Sequence, residues 1–274
     1  YKNKKIDDDF PNIKRFSEQS ENYHNARSPS DNTLSSVPLL LTNSSKKELK
    51  VCGNFLCEKE PNKKSVKFKT DDNLFLFAQS KNLKTSSVGW LHKYCSQYGV
   101  NLDFCRSYSV YNYSTYNRPF SLLNPIYTNL MLLPYLPPFG IIKNPLYSKF
   151  HHRNSVQTHK LALKIIEKGN FVFSFVHYNI PHSPFIYDGE QFLPSSAPFN
   201  QNKDNYRKQL QYVDKLFGEL MLQFKKFNKL DSSTIVLLSD HGFRKILPPD
   251  RTNHVPLLIR RGSSSKYLNI DEKV

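Results

Sequence analysis

The residues that first suggest chemistry are Asp240 and His241, which directly follow the apolar run 234–238. A short apolar run rich in β-branched residues predicts a buried strand. Charged groups are costly to bury unless they are paired or hold a metal, and open α/β sheets bind ligands beyond the carboxyl ends of their strands. Gly242 allows the sharp turn that would bring both side chains to one ion. The pair is therefore either part of a site for a divalent ion or a polar β-turn.

His182 is the second candidate, because it lies in the run Ile180-Pro181-His182-Ser183-Pro184. This run follows the aromatic, β-prone segment 170–179. Two flanking prolines restrict the backbone, which suits a group that contacts an oxyanion or donates a proton. The alternative is an exposed histidine in a rigid loop.

Thr33 is the third candidate, at the opening of the segment 33–42. A hydroxyl at the start of a helix can be an N-cap. The same position favours an attacking alkoxide and a bound phosphate or sulfate, because the helix dipole and free N–H groups stabilise negative charge.

The pattern of apolar residues predicts the elements that must position these side chains. Helices are expected at 10–19, 33–42, 71–82, 158–169 and 203–230, and strands at 83–91, 170–179, 234–238 and 255–261. Helices that alternate with apolar strands predict an α/β fold with a doubly wound, mostly parallel central sheet. We expect one domain over 1–274, with a Lys-rich loop at 44–70 and an irregular Tyr/Pro-rich insertion at 95–150.

Composition limits the classes of function. A hydrophobic content of 38% is enough for a packed core and argues against wholesale disorder. The net charge of +16 indicates either a solvated lysine-rich surface or attraction to anionic partners such as a membrane surface or a phosphorylated or sulfated substrate. No nucleic-acid-binding motif accompanies the charge, so we expect no nucleic acid partner.

The four cysteines fall into two close pairs, Cys52 with Cys57 and Cys95 with Cys105. They are either disulfides, which suit an extracytoplasmic domain, or ordinary thiols. The sequence begins without Met and shows neither a signal peptide nor an apolar run long enough to span a membrane. We expect a piece of a longer extracytoplasmic protein, anchored to a membrane by a segment outside this chain.

Five segments, in this order and spacing, resemble the sulfatase-like branch of the alkaline phosphatase superfamily. They are residues 10–43, 73–91, 173–190, 206–224 and 233–242, the last of which reads STIVLLSDHG. The resemblance covers most of residues 10–262, apart from 95–150. It implies the alkaline phosphatase/sulfatase-like α/β fold and an enzyme that acts on phosphate or sulfate esters.

The resemblance also implies roles for the site residues. The family nucleophile lies seven residues before an LLTG-like helix end, here Leu40-Leu41-Thr42-Asn43, and this count selects Thr33. Asp240 and His241 match the pair that holds the metal bound to the nucleophile. The cofactor implied is a divalent ion, with Mn, Zn, Mg and Ca all open.

On the substrate side, the resemblance assigns His182 to the oxyanion of the substrate. His254, just before the last apolar strand, completes the pocket as a catalytic or binding residue, and Arg251 is a weaker binding candidate. The helix that contains Tyr212 and Asp214 has only a structural role in the family.

Two departures refine this expectation. Sulfatases have Cys or Ser followed by x-Pro-x-Arg, whereas Thr33 is followed by Leu-Ser-Ser-Val, so conversion to formylglycine is excluded. Threonine instead matches the relatives that transfer phosphoethanolamine or phosphoglycerol. The family also takes a metal carboxylate from a strand upstream of the first helix, and we expect that strand before residue 1. We interpret Asp7, Asp8 and Asp9 as a solvated turn.

The expected function is therefore a metal-dependent hydrolase or transferase that acts on an anionic ester, of a lipid head group or a glycan, through a covalent threonine intermediate. Two alternatives stay open. One is an inactive sulfatase-fold protein that binds anionic glycans or lipids. The other is a basic module that binds anionic polymers, whose affinity would fall steeply with salt.

Overall fold

The computed structural model describes residues 5–44, 48–52, 55–58, 66–98, 102–108, 145–189, 191–244 and 253–274. The helices are α1 Pro11–Ser17, α2 Thr33–Thr42, α3 Leu74–Ser80, α4 Tyr94–Gln97, α5 Pro145–Lys168 and α6 Lys203–Lys226, with a 3-10 turn at Gly262–Ser264. The strands are β1 Glu21–Asn25, β2 Leu49–Cys52, β3 Phe55–Glu58, β4 Val66–Lys67, β5 Thr85–Trp90, β6 Phe104–Tyr108, β7 Phe173–His177, β8 Phe185–Tyr187, β9 Pro194–Phe199, β10 Thr234–Leu238, β11 Leu257–Arg261 and β12 Leu268–Lys273.

Two sheets carry the fold, and the predicted α/β class is confirmed. One has the order β6-β5-β7 and is parallel throughout. The other has the order β10-β11-β1-β12 and is mixed, because β11 runs antiparallel to both of its neighbours. Strands β10 and β1 therefore run in the same direction, and their carboxyl ends lie at one edge of that sheet.

The predicted loop at 44–70 is wrong for the described part of that range. It contains an antiparallel sheet of β2, β3 and β4, joined to α2 by a hydrogen bond from the Leu49 N–H to Ser35 Oγ of 3.0 Å. Leu49 and Leu56 of this sheet pack with Phe68 against Leu39 of α2, and all four side chains are buried. Lysines that point to solvent between these buried positions hide the strand pattern in the sequence.

The range 95–150, predicted to be an irregular insertion, contains regular elements where the structure describes it. These are most of α4, β6 near the start of the range, and the beginning of α5, which starts at Pro145 rather than at residue 158. Residues 109–144 lie outside the described residues. Both cysteine pairs form disulfides: Cys52 with Cys57 joins β2 to β3, and Cys95 with Cys105 joins α4 to β6.

Helix α1 is held by a carboxylate from α6. The residue before it, Phe10, provides no side-chain cap. Instead the buried Asp214 accepts hydrogen bonds from the N–H groups of Asn12 at 3.2 Å and Ile13 at 2.7 Å, and from the Asn12 amide at 2.8 Å. Gly218 lets α6 approach closely, since a Cβ there would lie 2.6 Å from the Asn12 side chain. The structural role predicted for Asp214 follows from these contacts.

The acidic turn before α1 is tied to basic side chains. Arg207 forms ion pairs with Asp7 at 2.8 Å and with Asp9, and Lys14 pairs with Asp8 at 2.5 Å. These carboxylates therefore meet cations on the surface, as expected for a solvated turn.

Candidate active site

Helix α2 presents Thr33 as its first residue. The cap of the helix is Asn32, whose side-chain oxygen accepts a hydrogen bond from the Ser35 N–H at 3.0 Å. Because Asn32 caps the helix, the Thr33 hydroxyl is not needed for capping. Its Oγ1 lies 3.1 Å from Nε2 of His241 instead, and the residue is 8% exposed.

The His241 ring has a defined tautomer. Its Nδ1 lies 2.8 Å from the Gly242 carbonyl oxygen, which can only accept, so Nδ1 carries the proton and donates it. In the neutral ring Nε2 therefore directs a lone pair toward Thr33. This tautomer can accept the hydroxyl proton or bind a metal, and the backbone contact fixes the ring orientation as an outer hydrogen bond does in metal sites.

Asp240 lies beside this ring, with Oδ2 3.7 Å from His241 Nε2. Among the described residues, Oδ2 has no hydrogen-bond partner although it is buried. The Ser36 hydroxyl of α2 donates to the Asp240 backbone carbonyl at 2.5 Å and thereby ties the β10 turn to the helix. A buried carboxylate oxygen without a partner is costly and marks a position where a cation would be stabilised.

His92 follows β5 and donates from Nε2 to the Thr33 carbonyl oxygen at 2.9 Å. It is 3% exposed. Burial lowers its pKa to about 4, and the hydrogen bond to Thr33 and the charge of Asp240 only partly oppose this effect. The ring is therefore neutral at pH 7 and holds the first residue of α2 through the backbone.

His177 ends β7, and its Nδ1 lies 2.6 Å from the hydroxyl oxygen of Tyr94. Burial lowers its pKa, while the nearby negative charge of Asp240 acts in the opposite direction. Tyr94 is fully buried against Gly89 of β5, where a Cβ would lie 2.2 Å from the tyrosine ring. Sequence analysis missed His92 and His177, although each stands at the carboxyl end of a strand of the parallel sheet.

His182 belongs to the same cluster. Its ring centroid lies 5.0 Å from that of Trp90, and its Nδ1 donates to the Ser183 carbonyl oxygen at 2.6 Å. Its pKa is lowered, mainly through desolvation by surrounding protein atoms, even though part of the residue faces solvent. The charges of Asp240 and His241 also act on this ring. The structure thus brings His182 together with the predicted metal pair.

Two candidate residues remain, His254 and Arg251. His254 forms an isolated backbone bridge with Arg27, and the neighbouring Val255 N–H donates to the Ala26 carbonyl oxygen at 3.1 Å. His254 therefore lies at the same sheet edge as the loop that leads to Thr33. Arg251 lies outside the described residues. The catalytic and binding roles of both residues stay predictions.

The donors at this site suit a divalent cation. Thr33 Oγ1, Asp240 Oδ2 and His241 Nε2 are an oxygen, a carboxylate oxygen and an imidazole nitrogen, which first-row metals and Mg²⁺ accept. No group of three or more His, Cys, Asp or Glu side chains is arranged as a metal site within the described part of the chain. These three side chains would hold the ion together with further ligands.

A family model for sulfatases matches residues 3–266, so the chain belongs to the sulfatase family. Enzymes of this family generally use a divalent metal ion. No curated protein matches the chain. Within the described ranges, none of the helices combines the length and apolar character needed to cross a lipid bilayer.

Solved structures agree on the fold. "Ps i-CgsB in complex with k-i-k-neocarrahexaose" is similar at a TM-score of 0.62 and 18% identity, over 97% of this chain and 63% of that one. Phosphonate monoester hydrolase of Agrobacterium radiobacter is similar at a TM-score of 0.58 and 14% identity, over 97% of this chain and 66% of that one. Lipoteichoic acid synthase LtaP from Listeria monocytogenes is similar at a TM-score of 0.53 and 12% identity, over 95% of this chain and 61% of that one. The chain thus spans less than two thirds of the length of each.

Proposed function

We propose that this chain forms the catalytic part of a metal-dependent hydrolase or transferase that acts on phosphate esters through a covalent intermediate on Thr33. The contact of 3.1 Å between Thr33 Oγ1 and His241 Nε2 carries this proposal. It combines a hydroxyl at a helix N-terminus with the imidazole Nε2 of His241 and, beside it, Oδ2 of Asp240, which has no hydrogen-bond partner among the described residues. These features together support a nucleophile rather than a helix cap.

Each residue of the site has its own role in the proposed reaction. Thr33 Oγ1 loses its proton to solvent and forms the new bond to phosphorus while the bond from phosphorus to the ester oxygen breaks. The N–H groups in the first turn of α2 stabilise the negative charge of the transferring group. A divalent ion held by Thr33, Asp240 and His241 would lower the pKa of the hydroxyl and neutralise charge.

His182 serves the leaving oxygen in this proposal. Its Nδ1–H is engaged with Ser183, so the Nε2 side of the ring is the side that can meet a ligand. A bound anionic ester favours the protonated ring, which then donates a proton from Nε2 to the departing oxygen. Water or an acceptor hydroxyl afterwards attacks phosphorus and gives its proton to the now neutral His182 Nε2, while the bond from phosphorus to Thr33 Oγ1 breaks.

Phosphate is favoured over sulfate because of the residues after Thr33. Ser35 and Ser36 are used structurally, since Ser35 Oγ accepts from the Leu49 N–H and Ser36 Oγ donates to the Asp240 carbonyl. Neither serine is therefore a free nucleophile. Threonine without the x-Pro-x-Arg sequence supports phosphoryl transfer, with the anionic ester belonging to a glycan or a lipid head group.

We also propose that a further strand completes the site. Within the described residues, β7 and β10 each pair on one side only, and Val236 and Leu238 of β10 are 49% and 37% exposed. Asp240 acts electrostatically on His177, so the ends of β7 and β10 lie near one another. An apolar strand between them would cover β10 and could bring another carboxylate to Asp240. The two disulfides support an extracytoplasmic location, beside the membrane to which the longer protein would be anchored.

Ester hydrolysis by the longest available protein that contains this chain tests the function. The substrates are p-nitrophenyl phosphate, bis-p-nitrophenyl phosphate and p-nitrophenyl sulfate, each with EDTA or with Mn²⁺, Zn²⁺, Mg²⁺ or Ca²⁺. Metal-dependent release from a phosphate ester, lost in Asp240→Ala, would support the proposal. Turnover of the sulfate alone would overturn the preference for phosphate. No turnover and no phospho-adduct on Thr33 by intact mass would favour an inactive fold that binds anionic glycans or lipids.

A further inference from the structure

A cleft of about 170 Å³ lies between α1 and α6. On one side it is lined by Asn12, Arg15 and Phe16 of α1 and by Gln19 just beyond that helix, and on the other by Gly218, Met221, Leu222 and Lys225 of α6. Each set follows helical spacing, so two stripes face each other. The helices meet at Gly218 and leave the cleft open toward Lys225.

The cleft has an apolar wall and a cationic rim. Phe16 is buried, Met221 is half-buried, and Leu222, near the C-terminal end of α6, is 67% exposed. Arg15 and Lys225 supply the charge, and none of the described residues that line the cleft carries a carboxylate. Both cations lie in the last turns of their helices, where they complement the helix dipole. The dipole accounts for their charge but not for the apolar cleft between them.

Arg260 of β11 is a third cation of this cleft, and it is only 6% exposed. Its Nη1 donates to the Leu230 carbonyl oxygen at 2.5 Å, and its Nη2 to Asp231 at 3.1 Å. Its Nε–H is buried and has no hydrogen-bond partner among the described residues. Because the Asp231 carboxylate already pairs with this cation, Arg260 offers a ligand its unused Nε–H donor rather than a free charge.

We propose that this cleft binds a small amphiphilic anion, with an acidic head between Arg15 and Lys225 and a short apolar chain on Phe16, Met221 and Leu222. The volume is of the order that accommodates a small hydrophobic ligand, since a cavity of about 150 Å³ binds benzene. Arg260 pairs with Ile235, five residues before Asp240, which places the cleft about 16 Å along β10 from the metal pair. The cleft is therefore separate from the candidate active site.

The probe is octanoate below its micelle concentration. Its binding to the whole chain is measured by calorimetry or NMR. Acetate tests the head alone, and 1-octanol tests the chain alone. We expect octanoate to bind more tightly than either. Arg15→Gln with Lys225→Gln should weaken octanoate binding roughly tenfold, and raised salt should weaken it in the wild type. Leu222→Asp, at an exposed position, should weaken it without unfolding the protein.

Matched control variants test whether octanoate binds in this cleft. Lys203→Gln with Lys226→Gln removes two charges from the same helix outside the cleft and should leave octanoate binding within twofold. Equal binding of acetate and octanoate, or an unchanged affinity in the Arg15 and Lys225 variant, would overturn the proposal. Loss of binding in Asp240→Ala would place octanoate in the active site and would also overturn the proposal. Binding to vesicles of anionic lipid without binding of monomeric octanoate would mean a membrane-contact face instead.

Discussion

The hydroxyl oxygen of Thr33 and Nε2 of His241 meet at 3.1 Å although 208 positions separate them in the chain. Three contacts set this geometry. Asn32 caps α2, Ser36 binds the carbonyl of Asp240, and Gly242 accepts from the other ring nitrogen of His241. The helix start and the strand end are therefore fixed to each other through backbone groups.

Replacing Thr33 by alanine should abolish ester turnover, by about 10³-fold or more in kcat, because the substitution removes the proposed attacking oxygen. Thr33→Ser keeps the hydroxyl and should retain measurable activity, and it serves as the matched control. Both variants should melt within a few degrees of the wild type. Equal activity in wild type and Thr33→Ala would show that Thr33 is not the nucleophile.

Replacing Asp240 by asparagine should remove the metal response. A divalent ion that binds only the folded protein raises the melting temperature by mass action. Titration of Mn²⁺ against the wild type should therefore raise the melting temperature, and the same titration of Asp240→Asn should not. Asp204→Asn, at an exposed position in α6, is the control and should respond like the wild type. An equal rise in Asp240→Asn would contradict the assigned metal position.

Acid should destabilise the fold through His92. Its pKa falls from 6.5 to about 4 on folding because of burial, so the unfolded chain binds a proton that the folded chain excludes. The stabilisation is complete above pH 6.5 and is lost as the pH falls toward 4. The full shift corresponds to roughly 3 kcal/mol.

Denaturant unfolding of wild type and His92→Phe between pH 4 and 7 checks this effect. The wild type should lose free energy of unfolding faster than the variant as the pH falls. Parallel curves would show that His92 does not account for the acid sensitivity. His24→Phe, at a less buried histidine, controls for the loss of one imidazole.

Replacing Asp214 by alanine should lower the free energy of unfolding by about 2 kcal/mol, since two backbone N–H groups and one amide at the start of α1 lose their acceptor. Asp204→Ala, in the exposed first turn of the same helix, should cost well under half as much. The measurement is denaturant unfolding of both variants at pH 7. Equal losses of unfolding free energy in the two variants would mean that the contact of Asp214 with α1 adds little to the stability of the fold.

The sequence allowed Thr33, Asp240, His241 and His182 to be proposed because each stands beside a local signal. A helix cap, an apolar strand that stops abruptly and a pair of prolines can all be recognised without knowledge of the fold. His92 and His177 carry no such signal. Their partners Thr33 and Tyr94 are 59 and 83 positions away, and only the assembled sheet brings them together.

The first half of α5 was missed for a different physical reason. Its buried positions are mostly polar, among them Ser148, Asn154 and Ser155, so no apolar stripe marks the helix before residue 158. Strand β10 shows the opposite case. Its apolar run predicts burial on both faces, yet Val236 and Leu238 face outward in the described structure.

The hydrogen bond from His92 reaches the main chain of Thr33, not its side chain. Any amino acid at position 33 would therefore be held in the same place, as the first residue of a helix whose cap is the neighbouring asparagine. The scaffold specifies a location for a nucleophile without specifying which nucleophile occupies it. A different nucleophile at position 33 would leave the architecture in place, whereas formylglycine chemistry would also require the Pro and Arg that are absent after Thr33.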